Sequence, residues 1–583
     1  VGDEAGTAIT GGSGYTTAIG YAAGAAITTG GKNTLIGGQS GDALTTGNSN
    51  VAVGYNTLTA DTLGDRNVAI GTQALEAQNF TSSTDSYNVA VGFHAGVAVT
   101  TGVENTLLGG LTGDAITTGY YNTALGKDAL GTNTLSSLNV AIGHSALKTM
   151  SAGNAETHNV AVGGNAGLSV TTGIQNTLIG GLAGDAITTG NYNSAVGYDS
   201  LGATTTGANN TALGMTSLKS NTTGGQNVAL GLQTLYYNTT ASNNTALGHV
   251  AMTFNTTGTQ NVAVGADALY TNTTASYNTA VGYQSLKLNT TGAQNVAVGT
   301  YALDANTTAA NNTALGYASL GANTTGDSSV AVGKDSMLTN TTGRFNSALG
   351  YESLALNTTG ANNVALGKAA LYANTTASNN TAVGMNAGTA LTTGASNTFV
   401  GYACGDSVTT GTVNAGFGYA TLGGLTGAAS TNLGLGYAAG ISITSGSNNI
   451  AIGANALNSG RPGGQITTQS NIIGIGTADH TEANIQIDWS IASDARDKTD
   501  FTPLDLGLDF VKALSPLTYK WDKRAKYGDN TADDYDLSAQ TPDGTYKEDW
   551  LDLGFKAQEV EALEQAAGYN KNNSTNLISS CSD

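Results

Sequence analysis

The chain repeats itself every 17 residues over about 450 residues, and this period limits what it can fold into. An Asn-Val/Thr-Ala-Val/Leu-Gly unit, with Leu for Ala in some copies, recurs from Asn33 to Asn449. Between Asn159 and Asn414 every step is 17 residues, and Ser329 replaces Asn once. A fixed short period indicates one structural unit stacked on copies of itself. The sequence therefore predicts a rod and not the core of a globular enzyme.

The composition favours an ordered chain that binds neither nucleic acid nor membranes. Charged residues make up only 10% of the 583 residues, but Val, Ile, Thr, Leu and Ala are abundant, which argues against disorder. The formal net charge of −20 excludes the clustered Lys and Arg that nucleic acids and anionic membranes attract. No apolar run approaches the roughly 20 residues that span a bilayer. We expect an extracellular setting, and the two cysteines provide no disulfide framework.

A single unit, Asn261–Tyr277, predicts the shape of one coil. Val262–Val264 reads as a short strand that ends at Gly265, where a turn needs positive φ or close backbone approach. Ala268–Tyr270 is predicted to be a second short strand, and Asn272–Ser276 the return turn. Coils stacked about 4.8 Å apart, roughly 25 of them, would form a shaft of about 120 Å.

Each predicted coil encloses few aliphatic side chains, so it has a thin core. The second residue after the repeated Asn is usually Ala, which permits another chain to approach closely. From these two features we predict three chains packed around a shared axis. The predicted fold is an all-β repeat shaft, a trimeric parallel β-roll or β-solenoid with 17-residue coils.

The composition changes late in the chain. All four prolines and all three tryptophans lie beyond residue 460, and ten of the 20 basic residues follow Ser493. We predict a shaft at 1–470, a junction at 471–492 and a small α+β domain at 493–583. Because Val1-Gly2 reads as the tail of a repeat unit, we expect the shaft to be truncated N-terminally.

Three motifs follow one another in the C-terminal region. They are Ser493–Lys498 (Ser-Asp-Ala-Arg-Asp-Lys), Gly507–Phe510 with Leu514–Trp521, and Leu553–Glu561. A serine hydroxyl becomes a nucleophile when a neighbouring base takes its proton, and a Lys with a depressed pKa can act as that base. The alternative interpretation is that Ser-Asp caps a helix or turn while Arg and Lys are merely solvated.

Two resemblances follow from these patterns. The shaft units resemble the head repeats of trimeric autotransporter adhesins, which are left-handed parallel β-rolls, and similar arrays occur in bacteriophage tail fibres. The repeat of those heads is somewhat shorter than 17 residues, which leaves the handedness of this shaft open. The C-terminal motifs resemble the endosialidase-type intramolecular chaperone domain, a self-cleaving module of phage tail spikes and fibres. Such domains usually carry a long C-terminal helix, so the resemblance implies that this helix is missing after Asp583.

The second resemblance implies roles for four residues. Ser493 would be the nucleophile, Lys498 its base, Asp494 the residue at the cut, and Arg496 a support for the site. Cleavage would release the residues after Ser493 once a trimer has assembled. Any enzymatic activity is then at most a single-turnover self-cleavage, and we predict no cofactor and no metal.

The resemblances together predict a structural tail-fibre protein of a virion that mediates host-cell attachment. The expected partners are two further copies of the chain, a host receptor (a glycan or an outer-surface protein), and tail or baseplate proteins. The C-terminal domain would trimerise the shaft and set its register. One alternative is a bacterial trimeric surface adhesin, and another is a self-processing serine protease with the rod as cargo.

Weaker signals have simple structural interpretations. Asn-Thr-Thr recurs ten times from Asn221 to Asn374 and predicts a turn ladder rather than glycosylation sites. Gly-Asp pairs such as Gly41-Asp42 predict turns, and the five histidines lack ligand spacing. Cys404 is predicted to be buried packing. Tyr residues after the repeated Gly could bind sugar, but we favour a surface stack that shields the turns.

Overall fold

The computed structural model divides the chain into two units, Val1–Glu482 and Ala483–Asp583. It describes residues 2–10, 14–458, 465–477, 507–522, 527 and 539–567. The first unit is a parallel β-solenoid of about 26 coils with a 17-residue repeat, as predicted. The described part of the second unit contains two helices and a two-stranded antiparallel sheet, an α+β region. The predicted boundaries at 470 and 492 stay predictions.

Nearly all strands of the solenoid belong to one parallel sheet of 27 strands. Two further strands, β4 and β6, pair with each other outside it. In chain order the strands are β1 Thr17–Ile19, β2 Thr34–Ile36, β3 Val51–Val53, β4 Gly64–Asp65, β5 Val68–Ile70, β6 Thr84–Asp85, β7 Val89–Val91, β8 Thr106–Leu108, β9 Thr123–Leu125, β10 Val140–Ile142, β11 Val160–Val162, β12 Thr177–Ile179, β13 Ser194–Val196, β14 Thr211–Leu213, β15 Val228–Leu230, β16 Thr245–Leu247, β17 Val262–Val264, β18 Thr279–Val281, β19 Val296–Val298, β20 Thr313–Leu315, β21 Val330–Val332, β22 Ser347–Leu349, β23 Val364–Leu366, β24 Thr381–Val383, β25 Thr398–Val400, β26 Ala415–Phe417, β27 Leu433–Leu435, β28 Ile450–Ile452 and β29 Ile473–Ile475.

The alternation of side chains along each strand decides what the solenoid buries. In β17, Ala263 is fully buried, whereas Val262 and Val264 are only half-buried. Ala263 lies in register with Ala280 of the next coil, and this pairing repeats along the sheet. The Ala therefore faces the interior of its own coil. Our inference that this Ala lets another chain approach is wrong. Side chains alternate along a strand, so the residues on either side of the Ala, and not the Ala itself, point outward.

The core runs through the solenoid as columns of Ala and Leu. Ala268 and Leu269 are fully buried, and the same two positions of most coils join one continuous hydrophobic cluster. One chain thus buries its own apolar interior by stacking coil on coil. The trimer remains a prediction, but it needs a different argument from the small Ala residues.

The predicted second strand at Ala268–Tyr270 is wrong, since this segment is a turn. Leu269 has φ 52°, Asp267 has φ 56° and Gln260 has φ 58°, so each coil contains three left-handed residues. Left-handed backbone costs about 1–2 kcal/mol for a non-glycine residue, and burial of a Leu side chain stabilises by a similar amount, about 1.5–3 kcal/mol. The coil closes at these positions because the Leu must point inward.

Gly265 has the role that the sequence predicts for it. Its φ is 136°, and a Cβ atom there would collide with the carbonyl of Gly282 in the next coil. The same close approach recurs at the glycine that ends nearly every strand. A side chain at this position would therefore force neighbouring coils apart.

A ladder of buried Asn side chains, here called the Asn ladder, connects the coils. The Asn278 N–H donates to Asn261 Oδ1 over 2.9 Å, and the Asn261 N–H donates to Asn244 Oδ1 over 3.0 Å. Asn261 Nδ2 donates in addition to the Ala275 carbonyl at 2.9 Å. These side chains pair with backbone groups that would otherwise be buried without a partner. The repeated Asn is thus required for stacking.

The Asn-Thr-Thr segments form a second ladder, which confirms the turn-ladder interpretation. Asn255 Nδ2 donates to Asn238 Oδ1 and to the Gly258 carbonyl, both at 2.9 Å. The Thr256 hydroxyl donates to the Thr273 carbonyl at 2.9 Å. The ten Asn residues of these segments are buried, so the folded shaft does not present them as glycan acceptors.

Other simple interpretations are confirmed as well. Gly41 lies in a turn with φ 55°. Cys404 is fully buried, and this burial raises the pKa of its thiol to about 12. The thiol therefore stays protonated near neutral pH and acts as apolar packing.

Two stretches exceed the 17-residue period in the first half of the solenoid, from Asn67 to Asn88 and from Asn139 to Asn159. The sheet continues past both, because β5 pairs with β7 and β10 pairs with β11. The insertions therefore do not break the stack. The first adds the β4–β6 pair at one corner of the coil.

The Asn ladder predicts the effect of Asn261→Ala. This substitution leaves the Asn278 N–H without its buried acceptor, and such an unsatisfied group costs about 1–3 kcal/mol. The Ala275 carbonyl loses one of its two donors but keeps Asn272 Nδ2 at 3.0 Å. We expect a clear fall in the urea midpoint measured by circular dichroism. Asn261→Ser should cost less, since Ser329 occupies the same position and its Oγ accepts the Asn346 N–H at 3.3 Å.

The matched control is Thr257→Ala, which truncates an exposed residue of the neighbouring turn. Its midpoint should equal that of the unmodified chain. Equal midpoints for Asn261→Ala and Thr257→Ala would show that the ladder contributes no stability.

Candidate functional site

The four predicted catalytic residues, Ser493, Asp494, Arg496 and Lys498, lie outside the described residues. Their roles stay predictions. What the structure describes is the scaffold formed by the two downstream motifs.

This scaffold consists of two helices and two strands. Helix α1 spans Leu508–Ala513 and is followed by strand β30, Leu517–Tyr519. Strand β31, Asp552–Gly554, precedes helix α2, Ala557–Ala566. Pro516 lies just before β30, a position where a proline interrupts no strand pairing.

Pairing of β30 with β31 brings two sequence motifs together. The strands are antiparallel, with Thr518 opposite Leu553. The rings of Tyr519 and Trp521 meet edge to face with centroids 5.3 Å apart. The Tyr-Lys-Trp segment and the Gly-Phe-Lys-Ala-Gln segment, about 35 residues apart in sequence, are therefore parts of one substructure.

Helix α2 provides the buried part of this substructure. Val560 and Glu564, one turn apart, are 4% and 2% exposed. A small hollow lined by Leu514, Phe555 and Val560 lies where α2 meets the residues after α1. At the start of the helix, Lys556 Nζ lies 2.7 Å from Glu559 Oε1.

A polar cluster around Asp522 closes the loop between the strands. The Tyr527 hydroxyl donates to the Asp522 carboxylate at 2.8 Å, and the Gly544 N–H donates to it at 2.8 Å. The Tyr546 N–H in turn donates to the Tyr527 oxygen at 3.2 Å. Sequence reasoning missed this cluster because its members are up to 24 residues apart and form no local pattern.

The described part of the second unit has few buried apolar side chains. Leu508, Val511, Trp550, Leu551 and Leu553 are 65, 54, 60, 65 and 77% exposed. Among the hydrophobic residues described beyond 507, Val560 is the one that is buried.

Within the described ranges, no group of three or more His, Cys, Asp and Glu residues is arranged to hold a metal ion. No helix in the same ranges has the length and apolarity to cross a membrane.

The fold defines the molecule as a β-solenoid shaft joined in sequence to a small α+β region. Residues 493–569 match a family model described as chaperone of endosialidase, a family named as a peptidase. No curated protein and no solved structure matches the chain significantly. A solenoid shaft followed by this region is consistent with a tail-fibre-like protein that carries a C-terminal chaperone domain.

Proposed function

We propose that the chain is a homotrimeric tail fibre of a virion that attaches to host cells. Its C-terminal domain would start trimerisation, set the register of the shaft and cut itself off at Ser493. The observation that carries this proposal is the chaperone match at 493–569 downstream of a solenoid with an exposed apolar strand face.

The strand face is the outward side of the parallel sheet, formed by the first and third residues of each strand. Because the second residue points inward, these two positions point to the other side of the sheet. The third residue is hydrophobic in every strand of the large sheet, and in many it is more than a third exposed. These exposed residues are Ile19, Ile36, Ile70, Leu108, Leu125, Ile179, Leu213, Leu247, Leu315, Leu349, Leu366, Phe417, Leu435 and Ile475.

This face is too long to be an ordinary solvent-exposed surface. A sheet of 27 strands spaced about 4.8 Å apart extends for about 125 Å. Monomeric soluble proteins rarely expose apolar patches larger than a few hundred Å². Further copies of the same chain would present the same face at the same spacing, and a closed ring of copies would cover it. The number three comes from the resemblance to trimeric adhesin heads.

A repetitive face leaves the register between chains poorly defined. Shifting one chain by one coil replaces each contact with a nearly identical one, so the shift costs little. A non-repetitive domain that associates first removes this ambiguity. The exposed apolar residues of the second unit, such as Trp550 and Leu553, support such an association because one chain leaves them uncovered.

Self-cleavage would use the hydroxyl of Ser493 as nucleophile and Lys498 as base. The Ser Oγ would attack a carbonyl at the cut while the Lys amine takes its proton, the peptide C–N bond would break, and the released chain would leave as an amine that takes this proton. Water would then hydrolyse the ester left on the serine. Asp494 lies next to Ser493 at the cut, and Arg496 would support the site. This chemistry needs no cofactor and turns over once.

The trimer is tested with the triple variant Leu315→Asp, Leu349→Asp, Leu366→Asp. Charges on the strand face would be desolvated on association, which is strongly unfavourable for unpaired carboxylates. Both chains carry Ser493→Ala, which we expect to keep them intact, and sedimentation equilibrium should give three times the chain mass of 58.1 kDa when the strand face is unmodified. The triple variant should give a smaller mass.

The control carries the same charges on an exposed turn, as Thr308→Asp, Thr342→Asp, Thr359→Asp. It should remain trimeric. A monomeric unmodified chain, or loss of the trimer in both variants, would contradict the role of the strand face.

Cleavage is tested by mass spectrometry of the purified chain and of Ser493→Ala. We expect a fragment that ends next to Ser493 in the unmodified protein and an intact chain in Ser493→Ala, with trimers in both. Lys498→Met should also stay intact, whereas Ser515→Ala, which alters an exposed serine of the same unit, should be cut. A Ser493→Ala chain that fails to form trimers would overturn the separation of chaperoning from cutting.

Attachment is tested by binding of fluorescently labelled protein to a panel of bacterial strains. We expect saturable binding to some strains and much weaker binding by the monomeric strand-face variant. Linked sites gain about 10²–10⁴-fold in avidity over single ones. Absence of binding to every strain in the panel would count against host attachment.

A further inference from the structure

A depression of about 450 Å³ lies at one corner of the solenoid, near the first insertion. One of its sides is a column of residues that directly precede the Asn ladder in successive coils, here called the corner column. Its members in the depression are Tyr15, Lys32, Ser49 and Arg66. The volume falls within the range of small-molecule sites, about 300–1,000 Å³.

The insertion closes one end of this depression. Thr84–Asp85 pairs with Gly64–Asp65, which places the Asp85 carboxylate against the Arg66 guanidinium as an ion pair. The Arg66 guanidinium also lies 5.4 Å from the ring centroid of Tyr87. A regular 17-residue coil has no residues to build such a wall, so the depression depends on the break in the period.

Several polar groups that line the depression are already occupied. Asp65 Oδ1 accepts the Asn48 N–H at 2.5 Å, and Asp65 Oδ2 accepts the Ser83 hydroxyl at 2.9 Å. Asn48 Oδ1 accepts the Gly31 N–H at 2.9 Å. The Asp85 carboxylate is therefore paired with Arg66, whereas within the described residues the Asp65 carboxylate has hydrogen-bond donors but no cationic partner.

Three side chains are left to face a ligand. They belong to the exposed residues Lys32, Ser49 and Tyr15, and Tyr15 has 92% of its surface exposed. Within the described residues, none of their side chains makes an ion pair or a hydrogen bond. An ammonium group, a hydroxyl and a phenol ring with its hydroxyl thus converge on one cavity.

We propose that this depression binds a saccharide that carries an anionic group, a carboxylate or a phosphate, on the host surface. The Lys32 ammonium would pair with the anionic group, and the Ser49 and Tyr15 hydroxyls would bind sugar hydroxyls. The Tyr15 ring would pack against a sugar face. This inference rests on the proposed attachment function and names the ligand class of one of its sites.

The charge of the whole chain does not prevent this binding. The formal net charge is −20, but charges separated by more than about 8 Å are largely screened at physiological ionic strength. Only ten Lys and Arg residues precede Ser493, and two of them, Lys32 and Arg66, line this depression. A bound anion would therefore lie near the unpaired Lys32 ammonium group, the Arg66–Asp85 ion pair and the Asp65 carboxylate, which is hydrogen-bonded to Asn48 and Ser83.

The test uses the full chain on an array of carboxylated, phosphorylated and neutral oligosaccharides. Lys32→Gln removes the ammonium group, and Gln occupies the same left-handed position at Gln175 and Gln226. Ser49→Tyr fills the depression without a change of charge, and Tyr occupies that position at Tyr121 and Tyr192. The control, Lys368→Gln, removes an equal charge at an exposed site in a distant coil.

We expect the unmodified chain and Lys368→Gln to bind anionic saccharides in preference to neutral ones. Lys32→Gln and Ser49→Tyr should each weaken this binding by about tenfold or more, as expected for a lost charge-assisted hydrogen bond or a blocked site. Preference for the carboxylated or the phosphorylated arm identifies the anionic group.

Two results would overturn the site. One is anionic binding that both variants retain, and the other is preference for neutral saccharides. If the chain binds bacterial cells but no saccharide on the array, the inference fails while the attachment function stands. If it binds neither, both fail.

Discussion

The Asn ladder is the interaction on which the rest of the shaft depends. Each side-chain amide accepts one backbone N–H and donates to one backbone carbonyl, as Asn261 does with Asn278 and Ala275. These groups lie at the entrance to each strand, where the chain turns a corner and sheet pairing ends. Without the amide the backbone N–H would be buried and unpaired, at a cost of about 1–3 kcal/mol in each coil. Summed over the coils, this is large compared with the usual stability of a domain, about 5–15 kcal/mol.

The fixed position of the Asn determines both faces of the sheet. Since the strand begins one residue later, Ala263 must point inward and Val264 outward. The same alternation that gives one chain its core therefore exposes an apolar face along the shaft. A solenoid that fills its own core and carries an apolar strand face on its surface is a suitable subunit for a fibre made of several copies. This is why the proposal of a trimer rests on the strand face rather than on small core residues.

Interruptions of the period are where the shaft differs from a uniform rod. The insertion between Asn67 and Asn88 leaves the sheet intact but adds residues at a corner, and the depression around Lys32 results. Repetition stabilises the scaffold, and a local irregularity supplies side chains that differ from those of the other coils. The C-terminal region also interrupts the repeat, and in the proposed function its unique sequence sets a register that the repeats do not specify.

Much of the fold could be predicted from the 17-residue period, but two predictions about the structure of a single coil were wrong. Ala268–Tyr270 has the composition of a strand, yet Leu269 adopts a left-handed conformation that propensity disfavours. Stacking compensates because it buries the Leu side chain completely. The direction of Ala263 was also misjudged, since small size fits a close approach to another chain as well as a narrow core. Neither question can be decided from one coil alone.

In the C-terminal region, too, some features could be predicted from the sequence and others could not. Its motifs, such as Leu514–Trp521, could be recognised in the sequence, but the Asp522–Tyr527–Gly544 cluster could not, because its members are far apart in sequence. From the amino-acid sequence alone one can predict the solenoid, its period, the role of its glycines and the chaperone resemblance of the C-terminal region. Which side of each strand forms the core, and where a corner of the solenoid forms a cavity, is seen only in the folded structure. The reason is that burial depends on neighbouring coils, which a local pattern does not specify.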